Sequence, residues 1–467
     1  MALPWDMPPL AHSRIEILDA AGYPAVIIVD PEGKEFEWWS WYRDSYGLGI
    51  GSQRSYARSL GLFIDFVVAC GHDFMDLERR GQLFRAFADA LTQGTINDGE
   101  DPSCLFWLPY SASAAKRVIR EVTAFTDWLA EDAGVKGLNP TRKATWAEEL
   151  IFWRAWNRAT TPSLLKHIKS STKARANAMT VHTVRGRKSV PVSTEEKKAF
   201  PEEAFIDLLS IGFQRSYHLR WTQFRDQMIA LLMHGGGLRL SETLHIWIPD
   251  VFEDPGDHDR ALVRVYHPSE GLARYRDPTT GQERCLTRAQ YLRLVYDRVP
   301  LTDLLGRRAV GWKSPLLTDS NEKFMHVFWR QSDYGRIFMQ LYRTYVQIRP
   351  RVRSHPYLFI ATGGEPMTVK GYEKVHAAAV RRIGLEPAKR LGTIPHGHRH
   401  AYGLWMRRGG IDKKIGQILM HHKSEVSQEV YGQAELQEVL AVLAELECRN
   451  EHSHLDLSTI SRTKGNI

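Results

Sequence analysis

A segment without acidic residues separates this chain of 467 residues into two parts. Between residues 161 and 194 there is no Asp or Glu, whereas Lys and Arg recur among small polar side chains. This composition is typical of a linker, so we expect a folded domain on each side of it. The linker is either a solvated connector or a basic strap along phosphate groups, because Lys and Arg gain affinity by releasing condensed counterions. The candidate phosphate-binding residues of such a strap are Lys166, Lys169, Lys173, Arg175, Arg185, Arg187 and Lys188.

The composition is that of an ordinary globular protein. Hydrophobic residues make up 43% of the chain and charged residues 25%, which argues against disorder and against fibrous repeats. Lys and Arg number 62 against 54 Asp and Glu, and the net charge of +8 hints at a polyanionic partner. The four cysteines are far apart, which indicates reduced thiols in a cytoplasmic protein. The apolar runs are shorter than the roughly 18 residues of a membrane span, so we expect no membrane contact.

The first part of the chain is predicted to be mostly helical. Residues 15–33 contain two short apolar runs separated by turn residues, which predicts paired strands. Beyond residue 52, apolar side chains recur at steps of three and four in two long stripes, the pattern of amphipathic helices. We therefore expect an N-terminal extension over residues 1–34, a helical domain over 35–160 and the linker over 161–199.

The second part combines helices with a few strands. Residues 219–233 have helical periodicity and end at three consecutive glycines, which supply the backbone freedom of a helix stop. Residues 262–266 and 324–328 have the apolar, β-branched and aromatic composition of strands. We expect a second domain over residues 200–450 and a tail over 451–467. The predicted fold class is mainly α, or α+β, with a small antiparallel sheet.

Three short stretches of the second part, followed by a tyrosine, hold an unusual set of reactive side chains. The stretches are residues 237–242, 396–400 and 421–423, and the tyrosine is Tyr431. Cleaving a phosphodiester without a metal requires fixed positive donors, a nucleophile and a proton donor for the leaving hydroxyl. Arginine binds phosphate with a planar, permanently charged fork, tyrosine can form a covalent phosphodiester, and histidine moves protons near neutral pH.

At these residues the sequence resembles the tyrosine recombinase (phage integrase) family. The family has a G-L-R-x-S-E box, an H-x-x-R box, a G-H-like box and a tyrosine close behind, and both their order and their spacing match here. Each box alone is a weak signal, and the conjunction carries the resemblance. It implies the catalytic residues Arg239, Lys313, His396, Arg399, His422 and Tyr431, with Glu242 in support.

The chain departs from the family pattern at two places. His421 stands where the family usually has a glycine, and we choose His422 because it lies nine residues before Tyr431, the customary distance. The family also places a lysine in the turn of a β-hairpin, but extra residues follow the first strand here. Lys313, on a glycine-led turn, is favoured over Lys323, although either is also compatible with a surface lysine.

The resemblance implies a site-specific recombinase that acts on double-stranded DNA. Tyr431 would form a 3′-phosphotyrosyl link and release a 5′-hydroxyl, with no metal or nucleotide cofactor. A helical core-binding domain and the catalytic domain would form a C-shaped clamp, and the activity would integrate or excise a mobile element. Alternatives are a type IB topoisomerase, a catalytically silent DNA-binding protein and a metal-dependent hydrolase. His396 and His400 have metal-ligand spacing, but we expect no metal there.

A helical stripe at the end of the second domain predicts a protein contact. Its members are Leu436, Val439, Leu440, Val442, Leu443 and Leu446. The stripe packs either on its own domain or on a neighbouring protomer, and we favour the neighbour, in a homotetramer assembled on DNA.

Overall fold

The computed structural model describes residues 11–71, 80–134, 137–160, 178–186, 199–421 and 441–446. The chain divides into two compact units, Met1–Val192 and Ser193–Ile467, and the division falls within the expected linker. His422, Tyr431 and all the proposed strap residues except Arg185 lie outside the described residues.

The first unit joins a β-hairpin to a group of helices. Its strands are β1 (Ser13–Leu18), β2 (Pro24–Val29), β3 (Thr141–Lys143) and β4 (Thr180–His182), paired antiparallel as β1–β2 and β3–β4. Its helices are α1 (Glu37–Ser45), α2 (Ile50–Cys70), α3 (Arg80–Gln93), α4 (Ala112–Ala133) and α5 (Trp146–Thr160).

The core of the first unit is largely aromatic. Trp39, Phe84 and Phe87 are completely buried where α1, α2, α3 and α4 meet, and the inner face of β2 joins them. Helix α4 is well capped, because the Ser111 side chain accepts a hydrogen bond from the Ala114 amide and Gly134 ends the helix in the left-handed conformation. The predicted helical character of this part is therefore observed, with apolar stripes that face one core.

The structure corrects the expectation that residues 161–199 are a linker throughout. Strand β4 belongs to the first unit, where it pairs with β3. The Arg185 guanidinium, assigned to the phosphate strap, lies 3.1 Å from the Glu148 carboxylate and donates to the His182 carbonyl. This pairing joins residues about forty positions apart, and a pattern read along the chain does not show it.

The second unit surrounds a buried helix with a small sheet and further helices. Its helices are α6 (Phe205–Asp207), α7 (Arg220–His234), α8 (Leu240–Thr243), α9 (Arg288–Tyr296), α10 (Ser332–Ile348), α11 (Val369–Arg382), α12 (Pro395–Arg408) and α13 (Lys413–Leu419). Its strands are β5 (Val251–Asp254), β6 (Asp257–Tyr266), β7 (Leu272–Arg276), β8 (Glu283–Thr287) and β9 (Phe324–His326).

The described residues of the second unit form two separate sheets. The main sheet is antiparallel with the order β5–β6–β9, and Val265 faces Met325 in its register. Strands β7 and β8 form a hairpin of their own in the long connection between β6 and β9. Residues 277–281, with the sequence Asp-Pro-Thr-Thr-Gly, form the turn of this hairpin. The fold is therefore mainly α with small antiparallel sheets.

Helix α7 is the centre of the second unit. Most of its side chains are buried, including an unbroken run from Met228 to His234. Helices α10, α11 and α12 pack against it, and α10 also covers β6. A smaller apolar cluster consists of Phe328, Tyr402, Met406 and Leu419. This packing brings the end of α7, the start of α12 and the turn after α13 close together.

Candidate active site

The first arginine box begins at a tight turn after α7. Gly237 has φ +67°, and a Cβ atom at this position would lie 2.7 Å from the Tyr402 ring, so both the backbone and the available space favour glycine. Arg239 is the N-cap residue of α8, and its backbone amide donates to Glu242 Oε2 over 2.8 Å. The carboxylate therefore closes the helix start and faces the arginine side chain at the same time.

Glu242 joins the two arginines. Its carboxylate is fully buried, accepts a hydrogen bond of 2.6 Å from Arg239 Nη1, and lies 3.6 Å from Arg399 Nη1. The Arg239 side chain is 20% exposed, so part of its guanidinium remains available to a ligand. One buried negative charge thus holds two positive charges near each other, an arrangement that suits a phosphate group.

Arg399 is fixed from two further sides. Its Nη1 donates to the Gly237 carbonyl over 2.5 Å, and its Nη2 donates to the Met420 carbonyl. Burial lowers the pKa of Arg399 to about 10, while the Glu242 charge opposes this shift, so the guanidinium stays charged at neutral pH. The second arginine therefore ties the first box to the turn that leads into the third box.

A cavity of about 440 Å³ lies beside these groups. Arg239, Lys313 and His396 line it, and α11 contributes Glu373, His376 and Arg381 to the same lining. The residues from α11 are absent from the sequence prediction, because they lie within an ordinary amphipathic helix and carry no motif. Their position became visible only through packing.

His396 is neutral at physiological pH. Partial desolvation of its ring lowers its pKa to about 4, and the charges of Arg399, Lys313 and Arg239 push it in the same direction. The residue itself is exposed at the start of α12. A neutral imidazole beside several cations can accept a proton from one partner and donate a hydrogen bond to another.

The connection between β6 and β9 brings Lys313 to the cavity. The neighbouring Trp312 ring packs between the rings of His245 and His267, each at a centroid distance of 5.6 Å. The backbone three residues later is also held, since the Leu316 amide donates to the His421 carbonyl. The Lys313 side chain itself is exposed, on an anchored backbone.

Lys323 lies at the edge of the main sheet instead. Its carbonyl accepts from the His267 amide over 2.7 Å, directly beside the β6–β9 ladder, and it is not among the residues that line the cavity. Arg274, another basic residue of this connection, is on β7 with an exposed side chain 3.8 Å from Glu322. Of the described basic residues in this connection, Lys313 alone lines the cavity.

Residues 330–438 of the chain match the model of the phage integrase family. The match contains α12 with its H-x-x-R residues and extends over the position of Tyr431. We refer to residues 330–438, which match this family model, as the phage integrase segment. Arg239, Glu242 and Lys313 precede the phage integrase segment. Contacts in the folded chain connect the first arginine box to it, because Arg399 donates a hydrogen bond to the Gly237 carbonyl and faces Glu242.

Several solved structures of recombinases have a similar chain path. XerH site-specific recombinase bound to difH substrate, in a pre-cleavage complex, is 11% identical over 87% of this chain and 81% of that chain, with a TM-score of 0.43. The Tn1549 transposon integrase with transposon right end DNA is 13% identical over 88% and 98%, with a TM-score of 0.41. A lambda integrase tetramer bound to a Holliday junction is 12% identical over 92% of this chain and 99% of that chain, with a TM-score of 0.35. With TM-scores below 0.5, these similarities carry no conclusion about this chain. No curated protein matches it.

The structure explains the first departure from the phage integrase pattern. His421 has φ +52°, the left-handed conformation that glycine adopts most easily, and it stands where the family usually has glycine. Its buried ring stacks on Phe328, and Nε2 donates to the His326 carbonyl over 2.7 Å. Burial lowers the pKa of His421 to about 3, so the ring is neutral. His421 is therefore part of the packing, and His422 and Tyr431 follow outside the described residues.

Among the described residues, no group of three or more His, Cys, Asp or Glu side chains is arranged to hold a metal ion. His396 and His400 are close, with ring centroids 4.6 Å apart, but they form an edge-to-face ring pair. In the same part of the chain, no helix is both long and apolar enough to span a bilayer.

Proposed function

We propose that this chain is a site-specific tyrosine recombinase that cuts and rejoins double-stranded DNA. The observation that carries the proposal is that the buried Glu242 carboxylate holds Arg239, which lines the cavity, beside Arg399. Arg239, Lys313 and His396 line that cavity, and the second arginine belongs to a phage integrase segment. Two fixed guanidinium groups beside a neutral imidazole and a lysine provide the charges that a phosphoryl transfer needs.

In this mechanism the Tyr431 oxygen attacks the scissile phosphorus. The phenolic proton passes to neutral His396, and the bond between phosphorus and the 5′-oxygen breaks as the 3′-phosphotyrosyl bond forms. Arg239 and Arg399 bind the non-bridging oxygens, and His422 donates a further hydrogen bond. Lys313 gives a proton to the departing 5′-oxygen. A 5′-hydroxyl from another strand then reverses these steps, so the phosphodiester energy is retained.

The covalent step is tested with a nicked suicide substrate that loses its 5′-end after cleavage. The native protein should become trapped on the DNA, and Tyr431→Phe should bind DNA without forming the adduct. An adduct that persists in Tyr431→Phe contradicts the choice of nucleophile. Exchange between two paired sites, compared with relaxation of a supercoiled circle, then distinguishes a recombinase from a topoisomerase.

The role of Lys313 is tested by changing the leaving group. Lys313→Ala should slow adduct formation on ordinary DNA, but not on DNA with a bridging 5′-sulfur, because a thiol of pKa near 8.5 leaves without a proton donor. Lys323→Ala is the matched control and should react normally with both substrates. Rescue by sulfur in Lys323→Ala, and not in Lys313→Ala, would reverse the assignment.

We further propose that the protein assembles on DNA as a homotetramer. The described end of the C-terminal stripe favours its own unit, since Leu446 is buried against Gly409 and Leu443 packs on the small apolar cluster. A contact with a neighbour would then use Leu436, Val439 and Leu440. Truncation after Gly432 should leave a monomer on DNA in analytical ultracentrifugation, and an unchanged tetramer would contradict the proposal.

A cytoplasmic location and a role in a mobile element complete the proposal. The separated cysteines and the absence of long apolar runs support the first. Direct repeats on both sides of the gene would support the second, and their absence would favour a resolving or housekeeping role.

A further inference from the structure

Three buried histidines of the second unit form a continuous hydrogen-bonded chain. His376 Nε2 lies 2.8 Å from His398 Nε2, and His398 Nδ1 lies 3.1 Å from His234 Nδ1. His234 Nε2 lies 3.4 Å from Glu202 Oε1. At most 1% of each of these histidines is exposed. The site described above uses none of these hydrogen bonds.

The Glu202 carboxylate determines which nitrogen of each histidine donates and which accepts in this hydrogen-bonded chain. An ionised carboxylate can only accept, so His234 must carry its proton on Nε2 and offer Nδ1 as an acceptor. His398 then donates through Nδ1 and accepts through Nε2, and His376 donates through Nε2. The opposite order would place the lone pair of His234 Nε2 against the carboxylate oxygen. Each ring thus has one tautomer that fits.

Charges and burial around the chain favour this neutral, ordered state. Desolvation opposes ionisation of Glu202, but hydrogen bonds from His234 and Arg330 outweigh it and hold the Glu202 pKa below its usual range. Burial lowers the pKa of His234 to about 4 and that of His376 to about 3. Arg330, which bonds both Glu202 and Tyr334, is therefore the permanent positive partner of the carboxylate.

The hydrogen-bonded chain of histidines connects α7, the helix that precedes the first arginine box, with α12, which carries the second. His234 is the last residue of α7, five positions before Arg239. His398 lies on α12 between His396 and Arg399, and Phe200 stacks on its ring at a centroid distance of 4.3 Å. A rotation of α12 that broke the bonds of His398 would therefore also displace the two neighbouring active-site side chains.

We propose that the hydrogen-bonded chain of His376, His398, His234 and Glu202 positions His396 and Arg399 against the first arginine box. The inference rests on the proposed recombinase function, but the order of the protons exists without it. These four are positioning residues, because they act through α12 and the end of α7. Apolar side chains could fill the same space, but they would not fix one rotation of α12 by directional bonds.

The first test measures the tautomers in the full-length protein without DNA. Nitrogen-15 NMR of histidine-labelled protein at pH 7 should find the proton of His398 on Nδ1 and the protons of His234 and His376 on Nε2. Single substitutions assign the signals. A His398 ring that is protonated on Nε2, or on both nitrogens, overturns the proposal whatever the protein does to DNA.

The second test removes the acceptor that orders the chain. Glu202→Ala should mix the two His398 tautomers and slow adduct formation roughly tenfold to a hundredfold, the effect of small misplacements in active sites, with DNA affinity unchanged. Glu202→Gln keeps an acceptor oxygen and should restore both the tautomer and the rate. His258→Gln, a change of an exposed histidine on β6, is the control and should alter neither.

Two outcomes of this second test overturn the proposal. One is a Glu202→Ala protein with native tautomers and a native rate. The other is a failure of Glu202→Gln to restore the rate although its tautomers are native. If the unaltered protein forms no adduct on the suicide substrate, the recombinase assignment fails instead, and the NMR measurement still decides the order of the chain.

Discussion

Replacing Glu242 with glutamine should destabilise the second unit strongly, although the two side chains have nearly the same shape. The change leaves Arg239 and Arg399 without their shared negative charge. At an effective dielectric constant of about 20, unit charges separated by the 3.6 Å between Arg399 and Glu242 attract by roughly 4 to 5 kcal/mol. Breaking such a buried pair from one side costs about 3 to 5 kcal/mol of unfolding free energy.

This cost corresponds to a melting temperature lower by about 6 to 20 °C for a unit of this size, which scanning calorimetry of the full chain measures. DNA should restore more stability to Glu242→Gln than it adds to the native protein, because a bound phosphate returns an anion to the two arginines. Glu253→Gln is the matched control. Glu253 is an exposed carboxylate 2.8 Å from Arg343, and its loss should not shift the transition measurably.

A Glu242→Gln protein with the same melting temperature as the Glu253→Gln control would refute this reasoning. It would mean that solvent or a local rearrangement compensates the two guanidinium charges. Equal stabilisation of native and variant protein by DNA would separately contradict the idea that the phosphate takes the position of a missing anion between the arginines.

Two further predictions follow from the packing of α12 and from the buried histidines. Gly397→Ala would place a Cβ atom 1.6 Å from the Gly392 carbonyl oxygen, so we expect a loss of about 3 kcal/mol or more in unfolding experiments, whereas Gly363→Ala, with open space around it, should be neutral. Acid should also destabilise the protein: burial lowers the pKa of His234 to about 4 and of His376 and His421 to about 3, whereas unfolded histidine titrates near 6.5. As the pH falls from about 6.5 towards 4, the unfolded chain takes up more protons, and each of these histidines should remove up to about 1.4 kcal/mol per pH unit. A melting temperature that stays constant or rises over this range would contradict that expectation.

The convergence of the two arginines could be predicted from sequence because order and spacing within the boxes reflect a common geometry. Arg239 and Arg399 are far apart along the chain, yet both face Glu242 in the structure. Which groups react remains a prediction. The helical character of both parts was also predictable, since apolar side chains at steps of three and four must share one buried face.

The sequence alone could not show that the candidate lysine, Lys313, lies at the cavity. It depends on how the residues between β6 and β9 fold, and that connection contains its own hairpin and helix. A glycine-led turn suggested Lys313 from the sequence. In the structure, the packing of Trp312 between two histidines holds the backbone of Lys313 at the cavity. Non-local pairing likewise hid β4, which places Arg185 beside Glu148. Sequence patterns report mainly on neighbouring residues, whereas the positions of Lys313 and β4 depend on contacts with residues far away in the sequence.

The long connection between β6 and β9 also has a consequence for the order of folding. Strands β5 and β6 are joined by a short turn, as are β7 and β8, so these hairpins can form from local encounters within microseconds. Before β9 can pair with β6, the chain must close a far larger loop, so we expect this pairing to form later than the two hairpins. Lys313 travels with that loop. The contact between Glu242 and Arg399 closes a still longer stretch of chain, from residue 242 to residue 399, so by the same reasoning the arginine pair forms last.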